Sequence, residues 1–114
     1  MLVVDDEPAI RLLCKVNLEL DGYEVREAGT LDEARQHLEG GVDVVLLDMH
    51  IGRERGEVLL DELIERRIPV AVVTGSTDLA TAGAGADAVL GKPFTIEELE
   101  ETVARLAGRG SSRR

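Results

Sequence analysis

Short apolar runs alternate along this chain with longer stretches in which apolar residues recur every three or four positions. Met1–Val4, Val42–Leu47, Ile68–Val73 and Ala88–Leu90 are nearly continuous in apolar residues, as parallel strands buried on both faces should be. Tyr23–Glu27 alternates apolar and polar, the mark of a half-buried strand. Between the runs lie helical patterns. Pro8–Leu20 carries Ala9, Leu12, Leu13, Val16 and Leu20 at helical spacing, with Pro8 suited to a first turn and Gly22 to a stop. Leu31, Ala34 and Leu38 follow the capping box Thr30-Leu31-Asp32-Glu33, and Ile96, Leu99, Val103 and Leu106 follow the second, Thr95-Ile96-Glu97-Glu98. Leu59, Leu60, Leu63 and Ile64 give a third helix its inward face, after a polar loop from Met49 to Gly56.

This alternation predicts an α/β domain with a parallel sheet. The stretch between Thr74 and Lys92 is the weakest part of the pattern. It is short and rich in glycine, which costs about 1 kcal/mol per position relative to alanine inside a helix. A fourth helix there is expected to be shortened to two turns at most.

Composition narrows the class. With 114 residues, 44% hydrophobic and 32% charged, the chain suits one globular domain. Residues 1–107 form that domain, and 108–114, with three arginines, two glycines and two serines, read as a flexible basic tail or the start of a linker. A net charge of −10 disfavours direct nucleic-acid binding, which needs a positive surface. No apolar run approaches the ~20 residues of a membrane span, and no basic leader precedes the first strand, so the expected location is cytoplasmic, away from the membrane. Cys14, the only cysteine, reads as a packing residue in a helix. His37 reads as a surface residue.

The chemistry collects where the strands end. Asp5-Asp6 follow the first run, Asp48 the third, Thr74 the fourth and Lys92-Pro93 the fifth. Open parallel sheets bind ligands just outside the carboxyl ends of their strands. Three aspartates at one locus repel one another and call for a cation. An all-oxygen set points to Mg²⁺ rather than zinc. Asp48 suits an aspartyl nucleophile, with Lys92 and the Thr74 hydroxyl placed to stabilise a transferring phosphoryl group. Taken singly, Asp5-Asp6 read equally well as a helix-capping turn, and Asp48, Thr74 and Lys92 as loop residues; it is their joint order that argues for a site.

Those residues resemble the signature of the response-regulator receiver family, the CheY-like domains of two-component signalling. Val3-Val4-Asp5-Asp6-Glu7-Pro8, Val44-Val45-Leu46-Leu47-Asp48-Met49, Val72-Val73-Thr74-Gly75, Gly85-Ala86-Asp87-Ala88 and Lys92-Pro93-Phe94 carry the resemblance. It implies a doubly wound, five-stranded parallel sheet, flavodoxin-like, in the order 2-1-3-4-5 and flanked by five helices. It also implies a module that catalyses only its own phosphorylation and dephosphorylation. Asp48 would accept a phosphoryl group from a phosphohistidine of a histidine kinase or histidine phosphotransfer protein. Asp6, Asp48 and the backbone carbonyl of His50 would ligate Mg²⁺, Asp5 would act through a coordinated water, and Thr74 and Lys92 would hold phosphoryl oxygens. The Lys92–Pro93 bond would be cis, Gly75 would meet a need for a small residue, and His50 and Ser76 would tune dephosphorylation. The output would be a switch of the loops and of the fourth-helix/fifth-strand face toward a downstream protein target that the sequence does not name.

Three positions depart from the family pattern. Gly52 replaces a usual proline four residues after the phosphoacceptor, which implies a more mobile loop. Val89 stands where a switch aromatic is common. The interval from Thr74 to Lys92 is 92 − 74 = 18 residues, about one helical turn of ~3.6 residues shorter than usual. The altered output face keeps open a pseudo-receiver that binds partners without phosphorylation. A small Mg²⁺-dependent aspartyl phosphohydrolase is the further alternative, weakened because His50 stands where its second acid/base aspartate would be.

Overall fold

The computed structural model describes residues 1–75 and 85–110. Strands β1 (Leu2–Val4), β2 (Arg26–Ala28), β3 (Val45–Asp48), β6 (Val70–Thr74) and β7 (Ala88–Gly91) form one sheet in the order β2-β1-β3-β6-β7, parallel throughout. With a small separate hairpin set aside, this is the expected 2-1-3-4-5 order. The hairpin, β4 (His50–Ile51) with β5 (Glu54–Arg55), occupies what the sequence reads as a plain loop. Helices α1 (Pro8–Leu20), α2 (Leu31–Glu39), α3 (Gly56–Glu65) and α4 (Ile96–Gly110) complete the described elements. The short helix expected between Thr74 and Lys92 falls on residues outside the described ones.

The sheet has apolar side chains on both faces, and each face has its own core. Leu2, Val4, Val45, Leu47, Val70 and Val72 face α2 and α3. Val3, Leu46, Ala71 and Val73 point the other way, toward Cys14 and Leu18 of α1 and Leu99, Val103 and Leu106 of α4. Period-two alternation of Cβ atoms explains the split within each strand. A continuous apolar run is therefore required.

Both capping boxes form, with one change. Thr95 Oγ1 accepts from the Glu98 amide at 3.0 Å, and Glu98 accepts in return from the Thr95 amide at 2.9 Å. Thr30 Oγ1 likewise accepts from the Glu33 amide at 3.1 Å, but Glu33 reaches one residue further back, to the Gly29 amide at 2.7 Å. Gly22 stops α1 in the left-handed region at φ +98°, a conformation glycine adopts without a Cβ penalty.

Three sequence expectations need correction. In α1 the buried residues are Cys14 and Leu18, whereas Leu12, Leu13, Val16 and Leu20 are exposed. Cys14 and Leu18, four apart, share a stripe with half-buried Ile10, so the helix carries two apolar faces and the larger one looks outward. In α3, Ile64 is exposed while Leu59, Leu60 and Leu63 are buried. His37 is not simply a surface residue: its Nε2 lies 3.1 Å from the Glu27 carbonyl, tying α2 to β2.

Candidate phosphoryl-acceptor site

Parallel register brings the strand ends level. Val4 pairs with both Ala28 and Leu47, Asp48 with Val73, and Thr74 with Gly91. The residues just past these pairs, Asp5 and Lys92, therefore meet at one edge of the sheet alongside Asp48 and Thr74. Carboxylate oxygens of Asp5, Asp6 and Asp48 all lie within 4.8 Å of one another. Asp5 and Asp48 are buried and Asp6 is exposed, so the cluster opens to solvent on one side.

Lys92 Nζ donates to Asp48 Oδ2 and to Asp5 Oδ2, both at 3.3 Å. Burial works against the charge on Lys92, but Asp48 and Asp5 outweigh it and hold the ammonium above its usual range. Asp5 shows the reverse balance. Burial pushes its carboxyl up and Asp48 adds to this, against the Glu7 amide and Lys92, which pull it down. Two buried acids share one lysine.

Lys92 is fixed from the backbone. Its amide donates to the Thr74 carbonyl at 2.8 Å, and the Lys92–Pro93 peptide is cis, as expected. Thr74 is buried at the end of β6. Asp48 Oδ1 accepts from the His50 amide at 3.1 Å, so His50 approaches the site through its backbone while its residue surface is exposed.

Three contributors were not legible beforehand. Arg11 Nη1 donates to the Asp5 carbonyl at 2.6 Å and its Nε to Glu27 at 3.2 Å, fastening the first acidic turn to α1 and β2. Gly56 lies so close under the site that a Cβ there would sit 2.6 Å from the Asp48 carbonyl oxygen and 2.9 Å from Met49 Cα. Gly52, at φ +61°, donates its amide to Asp6 Oδ2 at 2.9 Å. Proline has neither that N–H nor access to that φ, so this departure from the family pattern creates a tether to the acidic cluster. Ser76 lies outside the described residues.

A polar groove of about 650 Å³ lies at the opposite end of the sheet, walled by Met1, Tyr23, Arg26, Asp43 and Arg67. It is far from the carboxylates because its walls are strand beginnings. The donor chemistry sits at the strand ends.

The family model for the response regulator receiver domain matches residues 1–104. The chain belongs to the response regulator receiver domain family. This receiver is 32% identical over 120 residues to transcriptional regulatory protein AruR of Pseudomonas aeruginosa, covering 96% of this chain and 49% of that protein. It is 33% identical over 117 residues to transcriptional regulatory protein ResD of Bacillus subtilis, covering 97% of this chain and 49% of that one. The chain thus spans about half the length of these curated relatives. Among solved structures, it is similar to the receiver domain of NtrX from Brucella abortus, with a TM-score of 0.86 and 31% identity over 94% of this receiver and 97% of that chain.

The three carboxylates fit a hard divalent cation. Their donors are all oxygen, they converge within 4.8 Å, and Asp5 is a buried acid whose charge lacks full compensation. Mg²⁺ takes such ligands readily and keeps several waters. No described helix is long and apolar enough to cross a membrane.

Proposed function

We propose that this receiver accepts a phosphoryl group on Asp48 from a phosphohistidine of a sensor kinase or phosphotransfer protein, with Mg²⁺ held by Asp5, Asp6, Asp48 and the His50 carbonyl. The observation that carries this reading is Lys92 Nζ at 3.3 Å from both Asp48 and Asp5. It places a cation beside the carboxylate that must attack an anionic donor.

In the reaction, an Asp48 oxygen forms a bond to phosphorus as the phosphorus–nitrogen bond to the donor imidazole breaks. The imidazole leaves with the bonding pair. Charge spreads over the phosphoryl oxygens, and catalysis rests on positioning and electrostatic stabilisation. Bound Mg²⁺ would neutralise charge between the acidic residues and the incoming group. Lys92 exchanges its contact with Asp5 or Asp48 for one with a phosphoryl oxygen, and Thr74 supplies a hydroxyl from the end of β6. The His50 amide, already donating to Asp48 Oδ1, orients the carboxylate so that Oδ2 faces Lys92.

The phosphoryl group adds roughly −1.5 to −2 charge. It pulls Lys92 and Thr74 toward Asp48 and shifts an existing balance between two loop conformations. Val89 is an exposed residue of the edge strand β7, so no aromatic ring serves as the reporter on that strand. A downstream protein target reads the altered surface.

Intact-mass measurement after treatment with acetyl phosphate and Mg²⁺ tests the reading. One added phosphoryl group is expected, and none in Asp48→Asn. An unmodified wild-type mass after full exposure would return the protein to the pseudo-receiver class.

A further inference from the structure

Lys92 reaches two of the three acids of the site and the Gly52 amide reaches the third, yet three carboxylates within 4.8 Å still repel one another. The turn that carries two of them is held from outside the cluster. Asp5 is pinned at three atoms. Its amide donates to the Ala28 carbonyl at 3.0 Å, its carbonyl accepts from Arg11 Nη1 at 2.6 Å, and its Oδ1 accepts from the Glu7 amide at 2.9 Å. The bond from Arg11 is charge-assisted, the stronger kind. A peptide unit is planar, so the direction of the Asp5 carbonyl also sets where the Asp6 Cα sits.

Arg11 is held in its turn. Its Nε donates to Glu27 of β2 at 3.2 Å, and its side chain is only 20% exposed. The guanidinium lies against Gly29, between β2 and α2. A Cβ on Gly29 would stand 2.9 Å from Arg11 Nη1 and 3.6 Å from its Cζ. Gly29 is not left-handed, so its backbone does not demand glycine. What the missing Cβ provides is room for Arg11.

We infer that Arg11 is a positioning residue for the divalent-cation site: by gripping the Asp5 carbonyl it keeps the Asp5 and Asp6 carboxylates turned toward Asp48 against their mutual repulsion. It acts through the main chain of Asp5 rather than through a carboxylate of the cluster. Gly29 belongs to the same device, because it leaves the guanidinium its place. Groups that orient metal ligands from behind typically carry about tenfold to a hundredfold in metal affinity. The role rests on the Mg²⁺ site proposed for Asp5, Asp6 and Asp48.

Two variants of the full chain break the contact by different routes. Arg11→Met deletes the guanidinium. Gly29→Ala keeps it but pushes its tip off the Asp5 carbonyl, because the end of a flexible side chain yields before backbone does. Arg35→Met, which breaks the Arg35–Glu62 pair between α2 and α3, is the control. In EDTA, exchange of the Glu7 and Gly52 amides, donors to Asp5 and Asp6, is expected to quicken in both variants and not in the control. The Arg66 and Glu98 amides, bonded elsewhere, should keep wild-type rates, which verifies the fold. Mg²⁺ titration followed through the His50 amide, donor to Asp48, should show affinity weakened about tenfold or more. Labelling of Asp48 by acetyl phosphate should slow at limiting Mg²⁺ and recover at saturation. Unchanged exchange at Glu7 and Gly52, or wild-type Mg²⁺ affinity in either variant, would overturn the role and leave the Mg²⁺ site standing. Faster exchange at Arg66 and Glu98 would overturn it as general loosening, and labelling still slow at saturating Mg²⁺ would give Arg11 a part in the transfer instead. A wild type without affinity for Mg²⁺ would remove the site itself, and the role with it.

Discussion

Lys92 Nζ and Asp48 Oδ2 lie 3.3 Å apart although the residues are separated by 44 positions in the chain. Asp48 is buried and Lys92 half-buried, so each charge depends on the other. The pairing sets a direction for pH dependence. Folding raises the Lys92 pKa above its ordinary 10.5. Its contribution to stability is therefore complete below pH 10.5 and is lost as pH rises through the higher folded value. Lys92→Met is expected to cost about 1–3 kcal/mol at pH 7, by leaving two acids without their cation. The gap from wild type should narrow as pH rises above 10.5. Urea denaturation at pH 7 and 11 measures both, and an equal gap at the two values would reject the assignment.

Asp5 has the opposite sign. Its folded pKa is raised above 3.8 by burial and by Asp48, so as an ionised group it opposes folding, increasingly as pH rises through the folded value. Asp5→Asn keeps an acceptor for the Glu7 amide and removes the charge. Without divalent cations at pH 7 it should stabilise the receiver. Mg²⁺ should raise the Tm of the wild type by mass action and have much less effect on the variant. Thermal scans with Mg²⁺ and with EDTA decide it.

Gly56→Ala is expected to destabilise by about 1–3 kcal/mol, as overpacking does, because its Cβ would meet backbone atoms of Asp48 and Met49 that cannot swing aside. The damage should reach function too, with slower phosphoryl labelling of Asp48 in a chain still folded. Normal stability and normal labelling together would mean that the close approach relaxes at no cost.

Gly52 separates two effects in one residue. Gly52→Ala keeps the amide that donates to Asp6 and costs about 1–2 kcal/mol for its left-handed φ. Gly52→Pro removes the amide and cannot adopt φ +61°, so it should cost more and also alter Mg²⁺ affinity at Asp6. Isothermal titration of Mg²⁺ into both variants checks this; equal affinities would show that the tether has no bearing on the metal.

The strands and the site were legible because each strand is a short apolar run ending in one polar residue, and parallel register turns that linear order into proximity. Thr30, Thr95 and Gly22 announced helix ends through local chemistry alone. What was hidden depends on which way a face looks. Periodicity locates an apolar stripe on α1 but not its direction, and the larger stripe of Leu12, Val16 and Leu20 outweighed the smaller one of Cys14 and Leu18 that packs inward. The two-residue strands His50–Ile51 and Glu54–Arg55 are too short to show alternation. Arg11 and Gly56 act through contacts with main-chain atoms of Asp5 and Asp48, and main-chain contacts leave no side-chain pattern to read.

The small hairpin beyond Asp48 is anchored twice. Gly52 holds Asp6, and Glu54 accepts from the Leu31 amide at 3.3 Å at the start of α2. Exposed turns are the usual place to splice in a tag or a reporter, since little normally depends on them. Here a graft between Gly52 and Glu54 would pry apart two bonds at once, one on an acid of the site and one at the mouth of a helix. An engineer wanting a tolerant insertion point on this receiver should pass over that tip, however accessible it looks.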